Sequence, residues 1–386
     1  MTQTAPQDRA GATPPPRVAV VGMHGYGAQH VRHAVELAGR GRLVFVAAAD
    51  RVPAAADQLP DGVREFTDAA EMLAEVGADV VTIATPIHTH LPIAELALRA
   101  GADVLLEKPP VTSLSQFEEL GRAAAETGRV VQVGFQSLGS HAIGELRRMM
   151  AAGELGEITG ISGVGRWLRT LDYWRRSPWA GRRQLDGVEV VDGVVTNPLA
   201  HATATALRLA GADTLEGPAE LEVELFRANS IEADDTSVVR IVTATGLPVT
   251  VALTLCAGEQ ETPFVEVTGT AGSARFFYTD DVVELRRAGD DVAQRVVFDR
   301  TSLLDNLIEH RATGATLLSP LTSSGGFTRV LDAVRRGRPR QIPSSFSELR
   351  EDEHGRHVVI GGIEDWVERA AFEHRTFSAL DAPFAR

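Results

Sequence analysis

The sequence predicts two joined domains of different build: a parallel, doubly wound α/β sheet, then an open, mainly antiparallel α+β sheet with helices on one face. Three observations carry this. Over residues 17–137 short apolar runs alternate with helix-period stretches, the pattern of successive strand–helix–strand units. Beyond residue 138 strand-like runs follow one another with few helices between them. The 386 residues also exceed one ordinary core, at roughly 150 residues per domain.

The elements follow in order. Residues 17–21 (RVAVV) read as a strand entering the glycine turn GMHGYG, and 28–37 as a helix that stops at Gly39. Residues 43–50 form a second strand, ending in Asp50. Asp68 and Glu71 make a capping box for a helix ending at Gly77. A third strand spans 79–84, Pro92 opens a helix closed by Gly101, and 104–106 is a fourth strand. Ser113 and Gln116 cap the next helix, and 130–133 is a fifth strand. In the second domain, 138–386, a helix is expected at 141–152. Strands are expected at 158–168, 219–226, 237–244, 248–255, 264–268, 274–278 and 282–285, and helices near 326–336 and 360–375. The sheet's second face is expected to be open to a partner or substrate. Residues 1–16 read as a disordered tail.

Composition narrows the partners. With 44% hydrophobic and 23% charged residues the chain is globular, and a formal charge of -14 repels nucleic acid and anionic membrane. No apolar run is long enough to span a bilayer, and the opening segment lacks the apolar core of a signal peptide, so the expected compartment is the cytoplasm. The lone Cys256 lies in an apolar strand and reads as inert packing.

Of the 38 basic residues only Lys108 is a lysine. Arginine holds its proton permanently, whereas a buried ammonium can release one, so proton transfer is a role in which arginine cannot substitute. Lys108 also precedes Pro109, which favours extended geometry there and helps aim the side chain out of the strand.

The amino-terminal strand–turn–helix has the frame of a dinucleotide fingerprint. Gly22 and Gly27 take the first and third glycine positions, and His24 takes the second, with Gly25 and Tyr26 beside it. Asp50, at the end of the second strand, suits ribose hydroxyls and repels a 2'-phosphate, favouring NAD over NADP, although Arg51 pulls the other way. Thr85, Pro86 and His88 follow the third strand, and Glu107 and Lys108 the fourth, at the sheet edge where ligands bind. His88 and His90 have no Cys or carboxylate at ligand spacing, so no metal site is expected.

The dinucleotide turn, Thr85-Pro86 with His90, Glu107-Lys108-Pro109 and Gly134-Phe135-Gln136 together resemble the glucose-fructose oxidoreductase, inositol dehydrogenase and MocA family. The resemblance implies a Rossmann domain plus an open sheet domain, a nicotinamide cofactor, and a sugar or cyclitol substrate. It implies that Lys108 contacts the substrate hydroxyl and that Glu107 positions the lysine or the nicotinamide region. It also sets Gln136 beside the cofactor. The family's Asp-x-x-x-His signature corresponds to Asn197 and His201, a spacing that puts both on one helical face. His201 then reads as the acid–base, with Asn197 able to orient substrate but not to supply charge. Upstream, the aromatic and basic segment 173–183 makes Tyr173, Arg175 and Arg183 candidate substrate contacts.

The activity expected is hydride transfer between nicotinamide and a secondary alcohol or ketone of a sugar, cyclitol or sugar derivative. A redox-neutral lyase or glycosidase, and a non-catalytic sugar- or nucleotide-binding regulator, are the alternatives. A homodimer or homotetramer through the second sheet is implied by the resemblance alone.

Overall fold

The computed structural model describes residues 14–386, so the expected amino-terminal tail falls almost wholly outside the described residues. The first sheet contains β1 (Arg17–Val21), β2 (Val44–Ala49), β3 (Arg64–Phe66), β4 (Val80–Ile83), β5 (Asp103–Leu106) and β6 (Val131–Val133). Its order is β3-β2-β1-β4-β5-β6, with every pair parallel. Helices α1 (Gly27–Gly39), α2 (Ala69–Glu75), α3 (His90–Arg99) and α4 (Leu114–Thr127) connect the strands. Val18, Val20, Val80, Val81 and Val104 are fully buried, as strands covered on both faces require.

The local signals act as their chemistry dictates. Asp68 accepts from the Glu71 N–H and Ser113 from the Gln116 N–H, each satisfying an orphan donor of a first turn. Pro92 is not the first helical residue: a 3₁₀ turn at Ile87–Thr89 leads in, and α3 begins at His90. Pro92 still lies in the first turn, where its missing N–H costs no hydrogen bond. The three-residue β3 was not anticipated, because so short an edge strand leaves no periodicity to detect.

After α5 (His141–Ala151) comes the second sheet. Its strands are β7 (Ile158–Arg166), β10 (Pro218–Arg227), β11 (Thr236–Thr243), β12 (Pro248–Thr254), β13 (Phe264–Gly269), β14 (Gly272–Phe277), β15 (Val282–Arg287), β16 (Gln294–Val297) and β17 (Arg340–Gln341). A small hairpin of β8 (Gln184–Leu185) and β9 (Val188–Glu189) stands apart, as does one of β18 (Ser347–Asp352) and β19 (Gly355–Ile360). The order is β16-β15-β14-β13-β7-β12-β11-β10-β17, antiparallel except for β7 beside β12 and β10 beside β17. All seven expected strand runs lie in it.

One face of this sheet packs on α6 (Ala200–Leu209) and α8 (Gly325–Arg336) through residues such as Ile161, Val251 and Val265. The other face differs from expectation. Val164, Val238, Ala252 and Phe264 project from it, and α9 (Ile363–Phe372) with Phe377 and Phe384 covers them. Alternation put apolar residues on both faces of the central strands, so both had to be covered. The chain's end therefore folds onto the second domain. The segment that returns to the first domain is α7 (Leu303–Thr313), whose Leu303, Leu304, Leu307 and Ile308 pack with Val18, Val20 and Leu105. Arg311 of α7 fastens it by ion pairs to Asp79 and Asp103.

Candidate active site

The crevice opens where strand order reverses beside β1, at the carboxyl edge of the parallel sheet. Gly22 follows β1 with φ of 90°, and a Cβ there would lie on the Ala84 carbonyl. Only glycine fits this turn. Gly25 also has positive φ, 57°, with nothing within 4 Å of a would-be Cβ, so it takes the backbone demand that His24 cannot. The His24 ring meanwhile reaches the Val52 carbonyl at 3.0 Å. A Cβ on Gly27 would collide with the Gly22 carbonyl, and α1 starts with no side-chain cap. A narrow glycine cradle before an uncapped helix start fits a pyrophosphate. Asp50 accepts from the Met23 N–H at 2.7 Å and the Val52 N–H at 3.1 Å, which fixes its carboxylate at the cradle's rim. Tyr26 lies edge-on to His30, and burial followed by the charge of Glu107 pushes its phenol up to about 12, keeping it a neutral donor.

The loops after β4 and β5 are tied together. The His90 ring, 1% exposed, spans from the Thr85 carbonyl to the Pro109 carbonyl, each at 2.8 Å, and thus spaces the two loops. Thr85 accepts a hydrogen bond from Thr89. Arg51 is close enough to His88 that burial and its charge together depress the imidazole's pKa. Among the described residues no three His, Cys, Asp or Glu side chains cluster as metal ligands.

Glu107 accepts from His30 at 2.8 Å and Gln136 at 2.7 Å. Burial opposes its ionisation, but the His30 contact, the Lys108 charge and Gln136 outweigh it and hold the carboxyl below its ordinary range. A Cβ at Gly134 would lie 2.7 Å from Glu107 Oε1, so the glycine of the 134–136 motif makes room for this carboxylate. His30 was not anticipated; its signal was a histidine one helical turn after Gly27.

Lys108 is half-buried, and its Nζ donates to Asn197 Oδ1 at 2.7 Å and to the Asn197 carbonyl at 2.9 Å. Asn197 does not lie on α6 with His201: it sits in the turn before the helix, which begins at Ala200. Burial lowers the Lys108 pKa and Arg176 lowers it further, while Glu107 and Asp192 oppose them. His201 Nδ1 lies 3.4 Å from Ser137 Oγ, which also accepts from Thr205. Burial, then the adjacent Lys108 charge, pushes the imidazole down to about 3, so His201 is neutral with acceptor capacity.

The 173–183 segment divides. Tyr173 stays beside the site, under the Arg176 guanidinium at 3.8 Å, and burial and Asp192 push its phenol up to about 12. Arg175 points away: its side chain is 77% exposed and its nearest acid is Asp172 at 3.5 Å. Arg183 donates to the Val334 and Arg335 carbonyls, closing the end of α8 rather than facing Lys108. Arg176 and Asp192 are the neighbours that residue type alone did not single out. Cys256 is fully buried, and burial with Asp235 beside it keeps the thiol protonated and inert.

Comparison with known proteins agrees with this geometry. Residues 16–135 match the profile described as the oxidoreductase family, NAD-binding Rossmann fold, and residues 143–275 match the GFO/IDH/MocA C-terminal domain. The chain belongs to the GFO/IDH/MocA oxidoreductase family. Its amino-terminal domain is that family's NAD-binding Rossmann fold. Among GFO/IDH/MocA relatives, inositol 2-dehydrogenase 1 of Saccharopolyspora erythraea is 32% identical over 161 residues, 41% of this chain and 48% of the relative. The scyllo-inositol 2-dehydrogenase (NAD(+)) of Bacillus subtilis is 31% identical over 144 residues, 36% of this chain and 42% of the relative. The matched region thus spans about half the length of these relatives or less. Levoglucosan dehydrogenase, solved with NADH and levoglucosan, superposes with a TM-score of 0.68 at 20% identity, over 83% of this chain and 96% of that one. The WlbA dehydrogenase of Bordetella pertussis, solved with NADH and UDP-GlcNAcA, gives 0.67 at 22% identity with the same coverage. At such identity these two show the shared GFO/IDH/MocA fold. No described helix is long and apolar enough to cross a membrane.

Proposed function

We propose that this protein is an NAD-dependent dehydrogenase that oxidises a secondary alcohol of a sugar, cyclitol or sugar derivative, or reduces the corresponding ketone. The observation that carries the reading is the hydrogen bonding of Lys108 to Asn197, with His201 near enough to feel the lysine's charge. The polyol chemistry in the names of the inositol dehydrogenase relatives supports the substrate class.

Bound NAD would accept the hydride from the alcohol carbon at nicotinamide C4. The chain supplies everything else. Gly22, Gly25 and Gly27 would admit the pyrophosphate and Asp50 would take the ribose hydroxyls, a pairing that favours NAD over NADP. Two acceptors on Asn197 occupy two of the three directions of the Lys108 ammonium, which leaves its remaining N–H to hold the substrate oxygen. His201, neutral and of depressed basicity, would take the hydroxyl proton in step with departure of the C–H electron pair, as the carbonyl forms. Glu107, held by His30 and Gln136, sets a negative charge against that of Lys108. Tyr173 borders the substrate region, whereas the placements of Arg175 and Arg183 speak against contacts from them.

The same reading includes the cytoplasm as its compartment and a homodimer or homotetramer through the second sheet. Since α9 occupies much of that sheet's outer face, the available surface is its far edge, where Val292 and Val297 are exposed.

The test is calorimetric titration of the cofactor-stripped protein with NADH and NADPH, followed by an absorbance screen with inositols and sugars. NADH binding tighter than NADPH, with NADH formed on at least one polyol, is expected. Bound NADH with no exchange on any of them would overturn the reading in favour of a ligand-binding regulator.

A further inference from the structure

Asn197 contributes no charge, yet the polar chain does not end there. Asn197 Nδ2 donates to Asp192 Oδ1 at 2.6 Å, while Oδ1 of the same amide accepts from Lys108. The amide's orientation is therefore fixed by chemistry: its NH₂ must face the carboxylate and its oxygen the ammonium. Asp192 is 3% exposed, and its Oδ2 accepts from Arg176 at 2.8 Å and from the Gly181 N–H at 2.8 Å. A buried carboxylate needs such partners to remain ionised. The result is an unbroken series of guanidinium, carboxylate, amide and ammonium.

We propose that Asp192 is a positioning residue for Lys108, locking the Asn197 amide toward the ammonium and supplying, one amide away, the negative charge that Asn197 lacks. This rests on the dehydrogenase reading for its purpose but not for its test. Four charged or titratable groups bear on Lys108: Glu107, Asp192, Arg176 and His201. Glu107 approaches from its own strand end, whereas Asp192 acts from the second domain, through a residue 89 positions from the lysine. Lys108 would thus be set by whether the two domains are docked. The carboxylate favours the ammonium form and Arg176 disfavours it, so removing each should move the lysine in opposite directions.

Because the chain has one lysine, its side-chain amine can be titrated directly. The full-length protein is labelled competitively with acetic anhydride across pH, and acetylation of the peptide carrying Lys108 is read by mass. Asp192→Asn is expected to lower the Lys108 pKa by about one unit and to move the alkaline limb of kcat/KM the same way. Asp192→Glu should restore most of it, and Arg176→Gln should raise it. NADH affinity reports that each variant is folded. An unmoved Lys108 in an Asp192→Asn protein that still binds NADH would overturn the proposal. If Asp192→Asn does not fold, Arg176→Gln decides: an upward shift supports the relay, and none overturns it. The labelling reads the relay even if no sugar is turned over, so failure of the dehydrogenase reading is separable.

Discussion

Lys108 Nζ is hydrogen-bonded to both oxygens of Asn197, 89 residues further along the chain, and this pair joins the edge of the parallel sheet to the entry of α6. The lysine is thus held by the domain opposite its own strand. Lys108→Met should lower kcat by about 10²- to 10³-fold, the usual cost of removing a donor aimed at the reacting oxygen, while leaving NADH affinity within about threefold. Lys108→Arg should fare no better, since a planar guanidinium fork cannot match the ammonium's geometry. Near-normal turnover in either variant would remove Lys108 from the chemistry.

The free lysine value is about 10.4, and burial with Arg176 holds Lys108 below it. If the reaction needs the ammonium, kcat/KM should decline on an alkaline limb beginning below that value. A limb at or above pH 10.4 would mean that the neighbouring carboxylates prevail instead.

Gly22→Ala places a methyl group on the Ala84 carbonyl in a residue with φ of 90°. Backbone strain of this kind costs about 1–3 kcal/mol, and relieving it must deform the cradle. A lower Tm together with at least tenfold weaker NADH binding is expected in thermal melts and titrations. Unchanged binding would place the pyrophosphate elsewhere.

Asp50 is held by the Met23 and Val52 amides, so its carboxylate cannot swing away from a 2'-phosphate. Asp50→Ala should weaken NADH and improve NADPH relative to it, by about tenfold in the affinity ratio, with Arg51 available to the phosphate. A ratio equal to that of the parent protein would show that another group sets the preference.

His33 on α1 meets Asp305 at 3.3 Å and Ser302 at 2.8 Å, fastening α7 to the first domain. Its Asp305 contact raises the imidazole's pKa, and the same contact lowers that of Asp305. The stabilisation from His33 is full below the unfolded value of about 6.5 and is lost as pH rises through the higher folded value. His33→Gln should therefore lower Tm more at pH 5.5 than at pH 8.5. With side chains 31% and 25% exposed, the effect is at most about 1 kcal/mol. An equal loss at both pH values would mean that packing, not charge, is what His33 contributes.

The sequence by itself determined five of the six strands of the first sheet, because strand and helix periods, Asp68 and Ser113 caps and the Gly22 turn are all local signals. It also singled out Lys108, through the scarcity of lysine, and His201 through a motif. Tertiary structure decided the rest. Periodicity shows which face of an element is apolar but not what covers it, so α9 on the second sheet and α7 on the first had to be seen. Residue type likewise pointed to Arg175 and Arg183 and passed over Arg176, yet of the three only Arg176 reaches the Asp192 carboxylate. The Arg176–Asp192–Asn197–Lys108 series and the His30–Glu107 pair depend on the docking of segments far apart in sequence. Local patterns carry no record of such contacts, because burial and distance come into being only when the domains close.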